Sequence, residues 1–166
     1  MDSHLQKLQE EVTATMSGLT VEELARRADG KWSAAELLEH LYLSYCGTVK
    51  GFERVLREGK PLARKPTLKD RVAATVVVGF GRIPGGVKSP EVARPRGTSM
   101  EQINKDILPQ IAAMDEIISR CEDRFGKNTR ILDHPILGPL TAQQWRRLHF
   151  VHGQHHLKQV RELRKR

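Results

Sequence analysis

Apolar residues recur at helical spacing along most of the chain, and breaks in that pattern divide it into rods. Residues 3 to 16 place Leu5, Leu8 and Val12 on one face, and Ser17-Gly18 ends the run. Thr20 with Glu23 makes a capping box for a short helix to about Ala28, followed by an Asp29-Gly30 turn. Ser33 with Glu36 starts a long helix, Trp32 and Leu37 being placed for a hydrophobic staple across the cap. Its stripe runs through Leu41, Tyr45, Val49, Phe52 and Leu56 to a stop at Gly59. Gly47 and Gly51 lie inside it, where another backbone is expected to approach closely. His40 falls at the margin of this stripe, pointed into or along the core.

The middle is less regular. Thr67 to Phe80 has helical spacing with Leu68, Val72, Thr75 and Val76 on one side, although its Val-Val-Val run also suits a strand. Gly79 to Gly97 is rich in Gly, Pro and basic residues. It reads as an extended surface excursion with a turn at Ile83-Pro84-Gly85-Gly86. Ser99 then opens a third long helix carrying Ile103, Ile107, Ile111, Met114, Ile118 and Cys121, with a kink expected at Pro109 and an end at Gly126. Residues 127 to 140 read as a connecting loop. Thr141 with Gln144 caps the last helix, and Leu140 with Trp145 is placed for a second staple. That helix runs from Ala142 to about Arg164 with Trp145, Leu148, Val151 or His152, His156 and Val160 inward.

Four long amphipathic rods and no firm strand predict an all-α fold: a four-helix bundle with a short extra helix and a long irregular middle loop. One domain spanning 1–166 is the simplest division at this length. The longest apolar run, Ala73 to Phe80, is far short of a membrane span, and the N-terminus shows no signal-peptide pattern. Cys46 and Cys121 form no motif and are expected to be free thiols in a reducing cytoplasm.

Charge alters the picture at one place. Of the formal +8, the segment from Gly59 to Gly97 holds nine Lys or Arg against Asp70 and Glu91. It lacks interleaved aromatics and any nucleic-acid-binding motif, which argues against DNA or RNA. No phosphate-loop pattern is present. A solvated loop, or a rim that gathers an anionic small-molecule substrate, fits better.

The chemistry is concentrated in the last helix. Four of the seven histidines lie between His149 and His156. His152 and His156, four apart, share one face, and two imidazoles one turn apart suit a single transition metal ion. A third donor must come from another helix, and the bundle can bring His40 to them. His149 competes as a ligand from nearly the same stripe. His155, about 100° around the helix from His156, is expected to play an outer role. His4 and His134 read as incidental, Tyr42 and Tyr45 as packing, and the two tryptophans as staples. Three neutral imidazoles leave a divalent ion's charge uncompensated and a position open, the catalytic rather than the structural arrangement. Such a set suits Zn or Ni; Fe, Mn and Cu are also compatible.

Two stretches resemble the DinB-like superfamily of four-helix-bundle metalloproteins. Gly30-Lys31-Trp32-Ser33 followed by His40-Leu41 is similar to its Gly-x-Trp-Ser opening of the second helix. His152-Gly153-Gln154-His155-His156-Leu157-Lys158-Gln159 is similar to its His-x-x-His-His-x-x-Gln helix. The resemblance implies His40, His152 and His156 as the metal ligands, with Gln159 holding a ligand or backbone in place. It also implies a divalent-metal enzyme that transfers a low-molecular-weight thiol, or else hydrolyses its substrate. The rival expectation is a non-catalytic, homodimeric helical module with a structural or regulatory metal.

Overall fold

A computed structural model describes residues 1–84 and 89–165. Four long or medium helices pack as a bundle: α1 (Ser3–Met16), α3 (Ala34–Glu58), α5 (Met100–Phe125) and α6 (Ala142–Arg164). α1 lies on α6 and α5, and α3 lies on α5 and α6. Short helices α2 (Val21–Ala25) and α4 (Leu68–Ala74) sit between them. Among the described residues no helix is long and apolar enough to cross a membrane.

The caps fall where the sequence places them. Thr20–Glu23, Ser33–Glu36 and Thr141–Gln144 all form reciprocal capping boxes, which occupy backbone donors at helix starts that would otherwise lack partners. Thr67–Asp70 adds a fourth at the start of α4. Leu5, Leu8 and Val12 of α1, Leu41, Tyr45 and Phe52 of α3, and Ile103, Ile107, Ile111 and Ile118 of α5 are buried. They belong to one continuous apolar cluster that α6 completes with Trp145, Leu148, Leu157 and Val160. α5 continues as one helix through Pro109.

Three expectations need correction. Residues 127 to 140 are not simply a loop. Arg130–His134 (β1) pairs antiparallel with Gly138–Thr141 (β2), and the hairpin leads directly into α6. Its strands are short and carry Pro139, so they lack the alternation that marks a strand in sequence. In α4 the supposed apolar side is reversed: Leu68 and Val72 are exposed, while Ala74, Val77 and Val78 are buried. A π-helical turn at Thr75–Gly79 follows α4, and the buried Asp70, Ala74, Val77 and Val78 fall at i, i+4, i+7 and i+8, so the inward stripe is regular but lies on the face that the charged Asp70 begins. Gly51 meets no backbone; a Cβ there would press on the Leu132 side chain of β1. The expected turn at Ile83–Gly86 falls partly outside the described residues.

One glycine positions the candidate site. Gly153 lies in α6 between His152 and His156, and a Cβ there would collide with Leu8 of α1. The bare backbone lets α1 approach this part of α6 directly.

The bundle also carries a buried ionic knot. Arg146 of α6 is 5% exposed and Asp115 of α5 is 7% exposed. The Arg146 guanidinium donates to Asp115 Oδ1 at 3.2 Å, Glu122 Oε2 at 2.7 Å and Ser119 Oγ at 2.8 Å. Every face of the fork is satisfied by α5, which fixes the register of α5 against α6.

Candidate metal centre

The bundle brings His40 of α3 to His152 and His156 of α6. One ring nitrogen from each of the three lies within 4.8 Å of the others, a group that could hold a metal ion. His40 Nε2 and His152 Nε2 are 3.0 Å apart. Nitrogens that each bond a common ion at ~2.0–2.1 Å sit about 3–3.4 Å from one another, so this pair already has the required spacing. The rings stand nearly perpendicular, at 88°, 80° and 85° for the three pairs, with centroids 4.7 to 4.9 Å apart. Each pair is therefore T-shaped rather than stacked.

Outer hydrogen bonds settle which nitrogen two of the rings, His40 and His156, present. A carbonyl oxygen can only accept, so His40 Nδ1–H donates to Ala93 O at 2.7 Å and His40 Nε2 keeps its lone pair. His156 Nδ1–H donates to Gln159 Oε1 at 2.8 Å, which frees His156 Nε2 in the same way. Such second partners are the usual means of fixing a ligating histidine. Gln159 Nε2–H in turn donates to His155 Nε2 at 3.4 Å.

Electrostatics keep the rings neutral. Burial lowers the pKa of His40, against the pull of the Ala93 carbonyl. Burial, then the neighbouring His156 and His40, takes His152 well below the ordinary value. His156 is lowered to about 4, again chiefly by burial. At neutral pH all three rings are therefore uncharged, so no imidazolium has to lose its extra proton before an ion binds. No carboxylate belongs to the cluster, so a bound divalent ion would keep its full charge toward whatever fills its remaining positions.

The basic Gly/Pro-rich stretch helps build the site. A 3₁₀ turn at Glu91–Ala93 packs against α3 and delivers the Ala93 carbonyl. Glu39, next to His40, clamps the following residues: its carboxylate accepts from the backbone N–H groups of Arg96, Gly97 and Thr98 at 3.0, 3.1 and 2.8 Å. Burial pushes the Glu39 carboxyl up, but these bonds outweigh it and hold the pKa below the usual value. Trp32 is more than a staple, since its ring lies 5.0 Å from that of His40 and walls the site.

Glu39→Ala therefore strands three donors and loosens the carbonyl that orients His40. Loss of an outer partner typically costs 10–100-fold in metal affinity, and a drop of about that size is expected in a competition titration with a chromogenic chelator. An unchanged affinity would remove Glu39 from the account.

His149 does not join the cluster. It is 4% exposed, lies beside Tyr45 and Trp145, and its Nε2–H donates to Thr48 Oγ1 at 2.9 Å. Thr48 Oγ1 is free to accept because its own proton goes to Ser44 O. His134 is not incidental: its Nδ1 accepts from the N–H groups of Ile136 and Leu137 and closes the hairpin turn. His4 stays at the N-terminal end of α1, edge-on to Phe150. Cys46 and Cys121 are free thiols.

A helical bundle with three histidines gathered between two of its rods defines the class of protein. The chain belongs to the family described as "Protein of unknown function (DUF1569)", whose model matches residues 1–163. No curated protein and no solved structure gives a significant match.

Proposed function

We propose that His40, His152 and His156 hold one divalent transition metal ion, Zn or Ni by donor type, and that the protein is a metal-dependent enzyme of the DinB-like kind. The observation that carries this reading is the pairing of convergence with tautomer. One nitrogen of each ring lies within 4.8 Å of the other two, and Ala93 and Gln159 occupy the far nitrogens of His40 and His156 so that lone pairs are left facing inward. When bound, a divalent ion supplies Lewis acidity, which makes a thiol or a water nucleophilic near neutral pH.

The chain's own groups do the positioning. The Ala93 carbonyl and Gln159 fix two rings, Glu39 holds the covering turn, and Trp32 excludes water from one flank of His40. Transfer of a low-molecular-weight thiol to an electrophile is the leading reaction class, because an all-imidazole set leaves a cation that attracts thiolate. Metal-assisted hydrolysis is the second. A screen that follows thiol consumption by the metal-loaded protein against a panel of electrophiles tests the assignment. Turnover that disappears on metal removal supports it. Stoichiometric metal with neither thiol transfer nor hydrolysis would favour the non-catalytic module instead.

The fold itself should survive without metal. The apolar cluster is continuous through all four long helices. A ligand at a hundred times its Kd adds about 2.7 kcal/mol, so removing it with a chelator should lower Tm by about 5–10 °C in a chain of this size. Complete unfolding on chelation, followed by circular dichroism, would contradict this.

A further inference from the structure

A second site lies on the other flank of α6. A cleft of about 400 Å³ opens between α4, its π-helical turn and the start of α6. Arg71 of α4, Arg130 of β1 and Arg147 of α6 all line it. Among the described residues none of the three is ion-paired with a carboxylate. The one acid in the wall, Asp70, is already neutralised: Arg64 donates to both its oxygens, at 2.6 and 2.9 Å, and Thr67 adds its N–H and hydroxyl at 2.7 Å each. Those bonds, the Arg64 pair first, hold the Asp70 carboxyl far below its ordinary range, so it stays ionised and occupied. The cleft thus carries three uncompensated guanidiniums. Its floor is apolar, from Ala74, Val78 and Pro139.

Arg147 also explains how the cleft keeps its shape. One of its nitrogens, Nη2, donates to the Gly79 carbonyl at 2.8 Å, tying the π-helical turn to α6. The remaining donors of the fork are left for a ligand. At 100° per residue, His152 lies about 140° and His156 about 180° around α6 from Arg147, so this cleft and the histidine cluster occupy different faces.

We infer that this three-arginine cleft binds a small organic anion bearing a multivalent oxyanion group, a phosphate ester or a polycarboxylate, at a site separate from the three histidines. Planar guanidiniums match such groups with paired N–H bonds, and a volume of this order is typical of small-molecule sites. The inference does not depend on the metal assignment.

Calorimetric titration of the metal-free protein with pyrophosphate and with citrate, at low ionic strength, tests it. One saturable site per chain with Kd of ~1 mM or tighter is expected for at least one probe, and the tighter probe tells phosphate from carboxylate chemistry. Arg71→Gln and Arg147→Gln should each weaken it at least ~10-fold, whereas Lys7→Gln on α1 and His152→Ala should leave it unchanged. Among the described residues the Arg71 side chain makes no hydrogen bond or ion pair, so its variant still decides the matter should Arg147→Gln misfold. Binding of neither probe, binding indifferent to Arg71→Gln, or equal weakening by Lys7→Gln would each overturn the inference.

Discussion

His152→Ala is expected to abolish stoichiometric metal binding while leaving the helical content of the protein unchanged. Losing an outer partner alone costs 10–100-fold in affinity, so losing one of three ligands should cost more than about a hundredfold. The fold has little to lose. In the metal-free state His152 Nε2–H donates to His40 Nε2, and burial together with two neighbouring imidazoles already disfavours its charged form. Gly153, which admits Leu8, and the apolar residues of α6 are untouched by the change. Elemental analysis beside a far-ultraviolet circular dichroism spectrum checks both halves. Unchanged metal content would count against the ligand set, and collapse of helicity would show that the ring is structural.

Arg146→Ala should have the opposite signature: large destabilisation with the histidines still in place. It leaves Asp115 without its buried partner and Glu122 without its closest one. Breaking a buried pair from one side costs about 3–5 kcal/mol, because a charge remains behind in a medium that solvates it poorly. For a domain of this length that is roughly 6–20 °C in Tm. Urea denaturation monitored by tryptophan fluorescence measures it, and a loss below about 1 kcal/mol would show that the knot is solvated or repaired by Ser119.

The contrast between these two sites shows what the chain displays openly. His152 and His156 declare themselves because four-residue spacing on a strongly capped helix leaves one face for both rings. His40 is legible because the Trp32–Leu37 start fixes where it falls on α3. The same periodicity hides Arg146, which sits on the inward face of α6 where an apolar residue is expected, and nothing local marks Asp115 as its partner. The Ala93 carbonyl is hidden for a different reason. A backbone acceptor has no signature in residue types, and its placement depends on Glu39 gathering three N–H groups from a segment that reads as solvated loop. Leu68 and Val72 face outward because the inward stripe is Asp70, Ala74, Val77 and Val78, and an aspartate buried at its head by pairing with Arg64 carries no apolar signal. The β-hairpin escaped because His134 and Pro139 replace the alternation that would have announced it.

The proposed links among these parts run through the covering turn. A basic stretch that composition alone would assign to solvent instead supplies the hydrogen bond that selects the His40 tautomer. Charge on Arg71, by contrast, faces the cleft on the far side of α6 and takes no part in the histidine cluster.

X-ray absorption on the protein loaded with one equivalent of Zn measures the coordination shell directly. One ion per chain is expected, with three imidazole nitrogens at ~2.0–2.1 Å and at least one further light-atom ligand that exchanges with added thiol. Fewer than three imidazoles in the wild-type shell, or a shell that His40→Ala leaves unaltered, would contradict it.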